Sequence, residues 1–255
     1  MAYKNQAQFI ELLEQEGELV RIREYVNPHL EISEITDRIS KTPGGGKALL
    51  FENTGYDFPV LMNAYGNERR MCLALGVQQL NDVAKEIESL FHLLSSPKEN
   101  ILDKLKMLPM LGQFASWMPK VKSGRGECQE VIWQGKEADI TRLPVITCWP
   151  KDGGPFVTLP VIHTKDPNTA ARNVGMYRMQ VFGPHLTGMH WHKHKVSAKH
   201  FTEYKKAGKR MPVAVALGGD PVYAYSATAP LPENVDEYML AGFLRKKKVE
   251  LVKCI

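Results

Sequence analysis

The sequence predicts an α+β protein, with a mixed α/β domain over residues 1–120 and a β-rich domain over residues 121–255. Two features predict this division. Apolar residues recur at helical spacing through much of the first part, whereas the second part consists mainly of short apolar segments separated by turn residues. The glycine-rich, charged residues 121–126 lie where the pattern changes and are typical of a linker.

The helices of the first part are predicted from apolar spacing. Phe9, Ile10 and Leu13 share one face of a helix that ends at Gly17, and an alternating strand follows at residues 18–23. Further helices are predicted at residues 30–40 and 83–94, with short buried strands at residues 48–51 and 60–62. A broken helical spacing runs from residue 101 to residue 119.

Strands dominate the second part. They are predicted at residues 130–133, 160–164, 176–182, 186–192, 212–217 and 249–255, and one helix is predicted at residues 236–244. The last strand is apolar and has no turn after it, so we expect the second domain to be truncated and the chain to be the front part of a longer protein.

The composition excludes several classes of protein. Charged residues make up 24% of the 255 residues and hydrophobic residues 44%, which excludes disordered and collagen-like chains. No apolar run approaches the roughly 20 residues of a membrane helix, and the polar N-terminus does not resemble a signal peptide. We therefore expect a cytoplasmic protein.

The net charge of +5 allows two interpretations, an anionic ligand such as a phosphate or simply solvated lysines. Basic clusters at residues 205–210 and 245–248 lack the interleaved aromatic residues of a surface that binds single-stranded nucleic acid. No nucleic-acid partner is predicted. Attraction of these clusters to anionic lipid at the inner face of the cell membrane stays open as an alternative.

A histidine cluster is the first candidate site. With the period of a strand, His190, His192 and His194 share one face, opposite Trp191 and Lys193. Imidazoles so placed can bind a metal, a phosphate or a cofactor. A solvated polar face explains the same pattern equally well.

A second group of candidates lies at Asn173, Gly175, Arg178 and Glu237. Glycine allows a backbone to approach a ligand closely, and arginine offers a fork of donors for a phosphate or a carboxylate. Taken alone, Asn173 fits an ordinary loop residue. Glu237 similarly fits an acidic residue in the first turn of a helix.

Colinear segments along the whole chain resemble the UbiD family of decarboxylases. These segments are residues 12–19, 27–32, 48–53, 143–150, 173–178, 230–232, 236–238 and 251–255. Each is short, but they occur in the order and at the approximate spacing of the family.

The resemblance implies a prenylated flavin mononucleotide (prenylated FMN) in a split-barrel domain, with its phosphate held through a divalent metal such as manganese and with potassium as a further ion. Asn173 and Glu237 match the metal ligands. The matching cofactor-binding residues are Met176, Tyr177, Arg178, His190, Trp191, His192 and Lys195. Some members have a histidine ligand at the position of Lys195. A protonated lysine cannot coordinate metal, which leaves water or His194 as third ligand.

The implied reaction is non-oxidative decarboxylation of an aromatic acid, of the 4-hydroxy-3-polyprenylbenzoate type of ubiquinone biosynthesis. Arg178 would position the substrate carboxylate, and the proton-donating acid would lie beyond Ile255. A flavin prenyltransferase would supply the cofactor, and the full-length protein would be a homo-oligomer. The alternative is a flavin-binding module or remnant without catalysis.

Overall fold

The computed structural model describes residues 3–95, 112, 115–231 and 235–255, and the side chains of residues 90–95 are not described. The helices are α1 (Gln6–Gln15), α2 (Glu31–Ser40), α3 (Glu68–Leu75), α4 (Leu80–Ser95), α5 (Val196–Lys206), α6 (Pro221–Thr228) and α7 (Glu237–Arg245). The strands are β1 (Leu19–Tyr25), β2 (Ala48–Asn53), β3 (Val60–Met62), β4 (Lys120–Val121), β5 (Phe156–Val157), β6 (Val161–Lys165), β7 (Arg172–Met176), β8 (Met179–Gly183), β9 (Leu186–Met189), β10 (Ala214–Ala216) and β11 (Glu250–Leu251).

The first sheet is buried on both faces. Strand β1 pairs in parallel with β2, which pairs antiparallel with β3. Because side chains alternate along β2, Ala48 packs with Phe9 of α1, whereas Leu49 packs with Ile32 of α2. Strand β2 can therefore be apolar at successive positions.

Two three-stranded antiparallel sheets form most of the second part, in the orders β10-β6-β7 and β5-β8-β9. The chain passes from one to the other at Tyr177 and Arg178, between β7 and β8. Strands β4 and β11, each of two residues, form a further parallel sheet. The mixed α/β class is confirmed. No closed barrel is found among the described residues, so the split barrel stays a prediction.

One hydrophobic cluster joins the two parts of the chain. Leu75 and Val83 come from α3 and α4, and they pack in the same cluster as Val161, Val174 and Val222. Hydrophobic contacts therefore cross the predicted boundary at residue 120, and the division into two domains stays a prediction. Among the described helices, none has the length and apolar character needed to cross a membrane.

A buried ion pair ties this junction together. The Asp220 carboxylate accepts hydrogen bonds from Nε and Nη2 of Arg245, and the two side chains are only 2% and 4% exposed. Arg245 also donates to the carbonyls of Ala74 and Leu75 at the end of α3. The same carboxylate accepts the Tyr3 N–H at 3.0 Å. The N-terminal segment, α3, α6 and α7 thus share one polar centre.

Several strand predictions were wrong in extent. Residues 130–133 form no strand, and Val131 is 73% exposed. The predicted strand at residues 176–182 is divided, because the chain changes sheets at Tyr177 and Arg178. The strand at residues 249–255 shrinks to Glu250–Leu251, since its partner β4 is itself only two residues long.

The helix predictions were better but incomplete. The structure confirms helices near residues 9–17, 30–40, 83–94 and 236–244. Helices α3, α5 and α6 were not predicted. The predicted helical spacing at residues 101–119 lies largely outside the described residues.

Breaking the buried ion pair should destabilise the fold. We expect Arg245→Met to lower the free energy of unfolding by about 3–5 kcal/mol, because it leaves the Asp220 carboxylate buried without its counter-charge. Arg38→Met is the matched control, since the Arg38–Glu34 pair is exposed and should contribute less than about 0.5 kcal/mol. Urea unfolding of both variants measures the difference. A loss below about 1 kcal/mol for Arg245→Met would refute the structural role of the pair.

Candidate functional site

A cavity of about 550 Å³ lies where β7 meets the N-termini of α5 and α7. Seven of the candidate residues line it: Asn173, Gly175, Met176, Tyr177, His194, Lys195 and Glu237. Residues that are distant in the sequence therefore come together at one place.

The position of Glu237 is set by the start of α7. Asp236 caps this helix by accepting the Tyr238 N–H at 2.8 Å, and its other carboxylate oxygen binds Arg172. Glu237 is then the first residue of the helix. Its carboxylate turns back to β7 and accepts the Val174 N–H at 3.0 Å.

The electrostatic environment of Glu237 is unusual for an acidic residue. Burial raises the pKa of its carboxyl group, although the Val174 N–H stabilises the charged form. In the described part of the chain, no basic side chain forms an ion pair with it, and the guanidinium of Arg172 binds Asp236 instead. A carboxylate partly removed from water without a counter-charge is characteristic of cation and active sites.

Asn173, the residue before Val174, lines the same cavity and is only 6% exposed. Its Nδ2 donates to Ser197 Oγ at 3.1 Å and points toward the Tyr177 hydroxyl at 3.5 Å. The amide oxygen has no hydrogen-bond donor among the described residues. It is therefore available to a ligand in the cavity.

The donor set fits a hard divalent cation, which prefers carboxylate and amide oxygens. Glu237 binds the backbone of Val174, the neighbour of Asn173. Both side chains therefore lie at the same stretch of β7. No group of three His, Cys, Asp or Glu side chains that could hold a metal is found in the described ranges. His194 lines the same cavity and can be a third donor.

The N-terminus of α5 forms a further part of the cavity lining. The first N–H groups of a helix have no intrahelical acceptor and carry partial positive charge, so they attract anions. Lys195 and Val196, at this helix start, both line the cavity. A phosphate group in the cavity would meet both.

Arg178 is not among the residues that line this cavity. Its Nη1 and Nη2 bind the two Asp152 carboxylate oxygens at 3.1 and 2.5 Å, and its guanidinium lies 3.8 Å from the centre of the Phe156 ring. This contact holds the pKa of the Asp152 carboxyl below its usual value and raises that of Arg178. Arg178 is thus a fixed cation adjacent to the cavity-lining Tyr177.

The prediction of a histidine-bearing strand face was wrong. Strand β9 ends at Met189, and the His192 carbonyl accepts the Lys195 N–H in a turn that leads into α5. His190 instead packs edge-on against Phe156, with ring centres 5.0 Å apart. This turn divides the histidines, so they do not share a face.

The predicted cofactor residues His190, Trp191 and His192 do not line the cavity. The Trp191 ring lies between Tyr177 and Phe201, with ring centres 6.3 and 6.0 Å away. Its buried Nε1 has no hydrogen-bond partner among the described residues. It is therefore the one predicted cofactor residue with an unsatisfied buried donor.

Gly175 lines the cavity, so the close approach of a ligand at this glycine stays a prediction. A Cβ atom built at Gly175 would lie 2.4 Å from the Tyr177 ring. The glycine therefore makes room for a side chain of the protein itself. This packing accompanies the bend between β7 and β8.

Sequence reasoning missed five residues that support the site: Asp152, Phe156, Thr164, Ser197 and His200. They are remote in sequence from the residues they contact, so local spacing gives no signal for them. His200 lay within the histidine-rich segment but was not singled out.

Comparisons with known proteins place this geometry in a family. Residues 10–90 match the 3-octaprenyl-4-hydroxybenzoate carboxy-lyase N-terminal domain. Residues 119–255 match the 3-octaprenyl-4-hydroxybenzoate carboxy-lyase Rift-related domain. An uncharacterised protein of Archaeoglobus fulgidus is 48% identical over 256 residues, which cover 100% of this chain and 51% of the relative.

Solved structures show the same fold. Vanillic acid decarboxylase of Sedimentibacter hydroxybenzoicus, in its closed form, matches with a TM-score of 0.81 and 25% identity, over 100% of this chain and 51% of that chain. An evolved dimeric form of the UbiD-class enzyme HmfF from Pelotomaculum thermopropionicum, in complex with prenylated FMN, matches with a TM-score of 0.77 and 26% identity. That match covers 99% of this chain and 53% of HmfF.

The chain spans about half the length of the relatives that it matches. Both domain matches and the structural neighbours agree on one family of carboxy-lyases. The chain belongs to the UbiD family.

Proposed function

We propose that the cavity binds the phosphate of prenylated FMN through a divalent cation held by Asn173 and Glu237. The observation that carries this proposal is the Glu237 carboxylate, which is partly buried without a basic partner among the described residues, in a cavity that Asn173 also lines. A bound cation would neutralise the carboxylate and bridge it to a phosphate. Manganese is the metal we propose, and potassium is a further candidate.

The start of α5 supports the same ligand. A phosphate oriented toward the N-terminus of α5 would receive its free backbone N–H groups and the Lys195 ammonium group. The cation and this helix start would then hold the phosphate from two sides. His194 or a water molecule would complete the cation's coordination.

We propose that the full-length protein is a decarboxylase of aromatic acids, with 4-hydroxy-3-polyprenylbenzoate as the substrate type. The prenylated flavin, when bound, supplies the sink for the electron pair that the departing carbon dioxide leaves behind. Arg178 would orient the substrate carboxylate. Because Asp152 takes both terminal nitrogens of Arg178, a substrate must share or replace that contact.

The remaining roles rest on the family and the matched enzymes. HmfF was solved with prenylated FMN, which supports the same cofactor here. We propose Met176, Tyr177, His190, Trp191 and His192 as its neighbours. A flavin prenyltransferase would supply it, and the full-length protein would be a homo-oligomer.

The cation–phosphate site predicts that Mn²⁺ strengthens FMN binding. We expect Mn²⁺ to raise the affinity of the chain for FMN by about tenfold, within the range typical of coupled ligands. Riboflavin, which lacks the phosphate, should bind equally with and without Mn²⁺. Isothermal titration calorimetry measures both ligands. Equal Mn²⁺ effects on FMN and riboflavin would exclude a phosphate-bridging cation.

Two substitutions should remove this coupling. Asn173→Ala and Glu237→Gln each take away one proposed ligand, so FMN affinity should no longer respond to Mn²⁺ while the Mn²⁺-free affinity stays within about twofold. Glu34→Gln is the control, because Glu34 is an exposed acidic residue of α2. Retention of the Mn²⁺ response in both site variants would reject Asn173 and Glu237 as ligands.

The Glu237 carboxylate should also destabilise the metal-free protein. We expect Glu237→Gln to raise the free energy of unfolding at pH 7.5 by about 1 kcal/mol without metal, because the amide removes a partly desolvated charge and can still accept the Val174 N–H. Glu34→Gln should change it by less than about 0.5 kcal/mol. Urea unfolding in the presence of a chelator gives both values. A destabilised Glu237→Gln variant would contradict this electrostatic argument.

Measuring carbon dioxide release distinguishes the proposed decarboxylase from the alternative, a flavin-binding module without catalysis. The chain loaded with prenylated FMN and Mn²⁺ is offered a 3-prenyl-4-hydroxybenzoate, and carbon dioxide is measured. We expect turnover by the full-length relative from Archaeoglobus fulgidus, and the 255-residue chain is measured under the same conditions. Binding without turnover by both would favour the non-catalytic module.

A further inference from the structure

A row of buried polar side chains continues from Asn173, and its last member, His200, also lines the cavity. It contains Thr164 of β6 and both Ser197 and His200 of α5, and these three side chains are at most 5% exposed. Asn173 Nδ2 donates to Ser197 Oγ at 3.1 Å. Ser197 Oγ lies 3.3 Å from Thr164 Oγ1, which lies 3.0 Å from His200 Nδ1. The four groups form one continuous hydrogen-bonded row.

The direction of the bonds follows from counting protons. Each hydroxyl group has one proton to donate. Since Asn173 donates to Ser197, the Ser197 proton is free for Thr164, and the Thr164 proton is free for His200 Nδ1. This order gives every hydroxyl proton an acceptor. It requires that Nδ1 of His200 carry no proton.

The other His200 tautomer leaves the row unsatisfied. If Nδ1 carries the proton, it donates to Thr164 Oγ1, while Asn173 still donates to Ser197 Oγ. Either Thr164 or Ser197 then accepts two hydrogen bonds. One hydroxyl proton then has no acceptor, because the described residues offer no further partner to either hydroxyl. Buried polar groups are rarely left in this state.

We propose that His200, acting through Thr164 and Ser197, is the positioning residue that keeps the side-chain oxygen of Asn173 turned toward the cavity. The proposal rests on the proposed function of Asn173 as a cation ligand. An amide turned the other way would present its two N–H donors to the cavity, and these cannot coordinate a cation.

The surroundings of His200 support the required form. Burial lowers the pKa of His200, so its imidazole is neutral at neutral pH and one ring nitrogen is bare. The Tyr177 hydroxyl, 3.5 Å from Asn173 Nδ2, offers an acceptor to the second amide proton. Both N–H groups of the Asn173 side chain therefore have protein oxygen atoms as acceptors. Only the side-chain carbonyl oxygen is left for a ligand in the cavity.

The tautomer of His200 is directly measurable. The complete 255-residue chain, labelled with ¹⁵N-histidine, gives long-range ¹H–¹⁵N spectra in which the two ring nitrogens are distinguished, and His200→Gln identifies the signal. We expect a neutral ring protonated on Nε2. A proton on Nδ1 would overturn the proposed bond order. This experiment contains no metal and is independent of the proposed cation site.

Binding of Mn²⁺ alone, followed by the EPR signal of free Mn²⁺, tests the positioning role. Thr164→Val breaks the row and should weaken Mn²⁺ binding by about tenfold, as loss of an outer-shell partner typically does. Thr164→Ser keeps the hydroxyl and should bind Mn²⁺ as the unmodified chain does. An unaltered affinity in Thr164→Val would overturn the proposal.

The Asn173→Asp background separates positioning from general structure. Both oxygens of a carboxylate can bind a cation, so its orientation no longer matters. Adding Thr164→Val in this background should change Mn²⁺ affinity by less than about twofold. A tenfold loss in both backgrounds would show a structural role only and refute the relay. Absence of Mn²⁺ binding by the unmodified chain would instead refute the proposed cation site, and with it the role given to His200.

Discussion

The carboxylate of Glu237 is partly removed from water and has no basic partner among the described residues, and the arrangement of the candidate site depends on this constraint. The start of α7 fixes its place, since Asp236 caps the helix and also binds Arg172. The Val174 N–H then draws the carboxylate onto β7, beside Asn173. Such a carboxylate weakens the isolated fold and strengthens the binding of a cation. Under the proposed function, stability and cation binding therefore oppose each other at this residue.

The rest of the fold supplies the rigidity that this arrangement needs. Arg245, at the far end of α7, is held by Asp220 and by the carbonyls that end α3. The helix that presents Glu237 is thereby attached to the N-terminal part of the chain. The hydrophobic cluster that contains Leu75, Val83 and Val174 packs between the two parts of the chain. A cavity wall on β7 is thus supported by residues that are far from it in sequence.

Sequence reasoning singled out several residues that line one cavity, but it missed three helices of the fold around them. Helix α7 was recognisable from its apolar spacing and its acidic start, whereas α3 buries Arg70 completely, which breaks the apolar stripe. Helix α5 was missed because Lys195 at its N-cap makes no capping hydrogen bond through its side chain. Asn173 and Glu237 came from the family resemblance, and the structure adds that they line one cavity. Thr164 and Ser197 gave no signal, because only the folded chain brings them to Asn173.

The most direct test of the cation site is a crystal structure of this chain with Mn²⁺ and FMN, measured at a wavelength where manganese scatters anomalously. The site proposed here predicts an anomalous peak within about 2.5 Å of Asn173 Oδ1 and of the Glu237 carboxylate, with the FMN phosphate as a further ligand. It also predicts that the phosphate faces the start of α5. A manganese peak elsewhere, or FMN bound with its phosphate outside this cavity, would contradict the central claim.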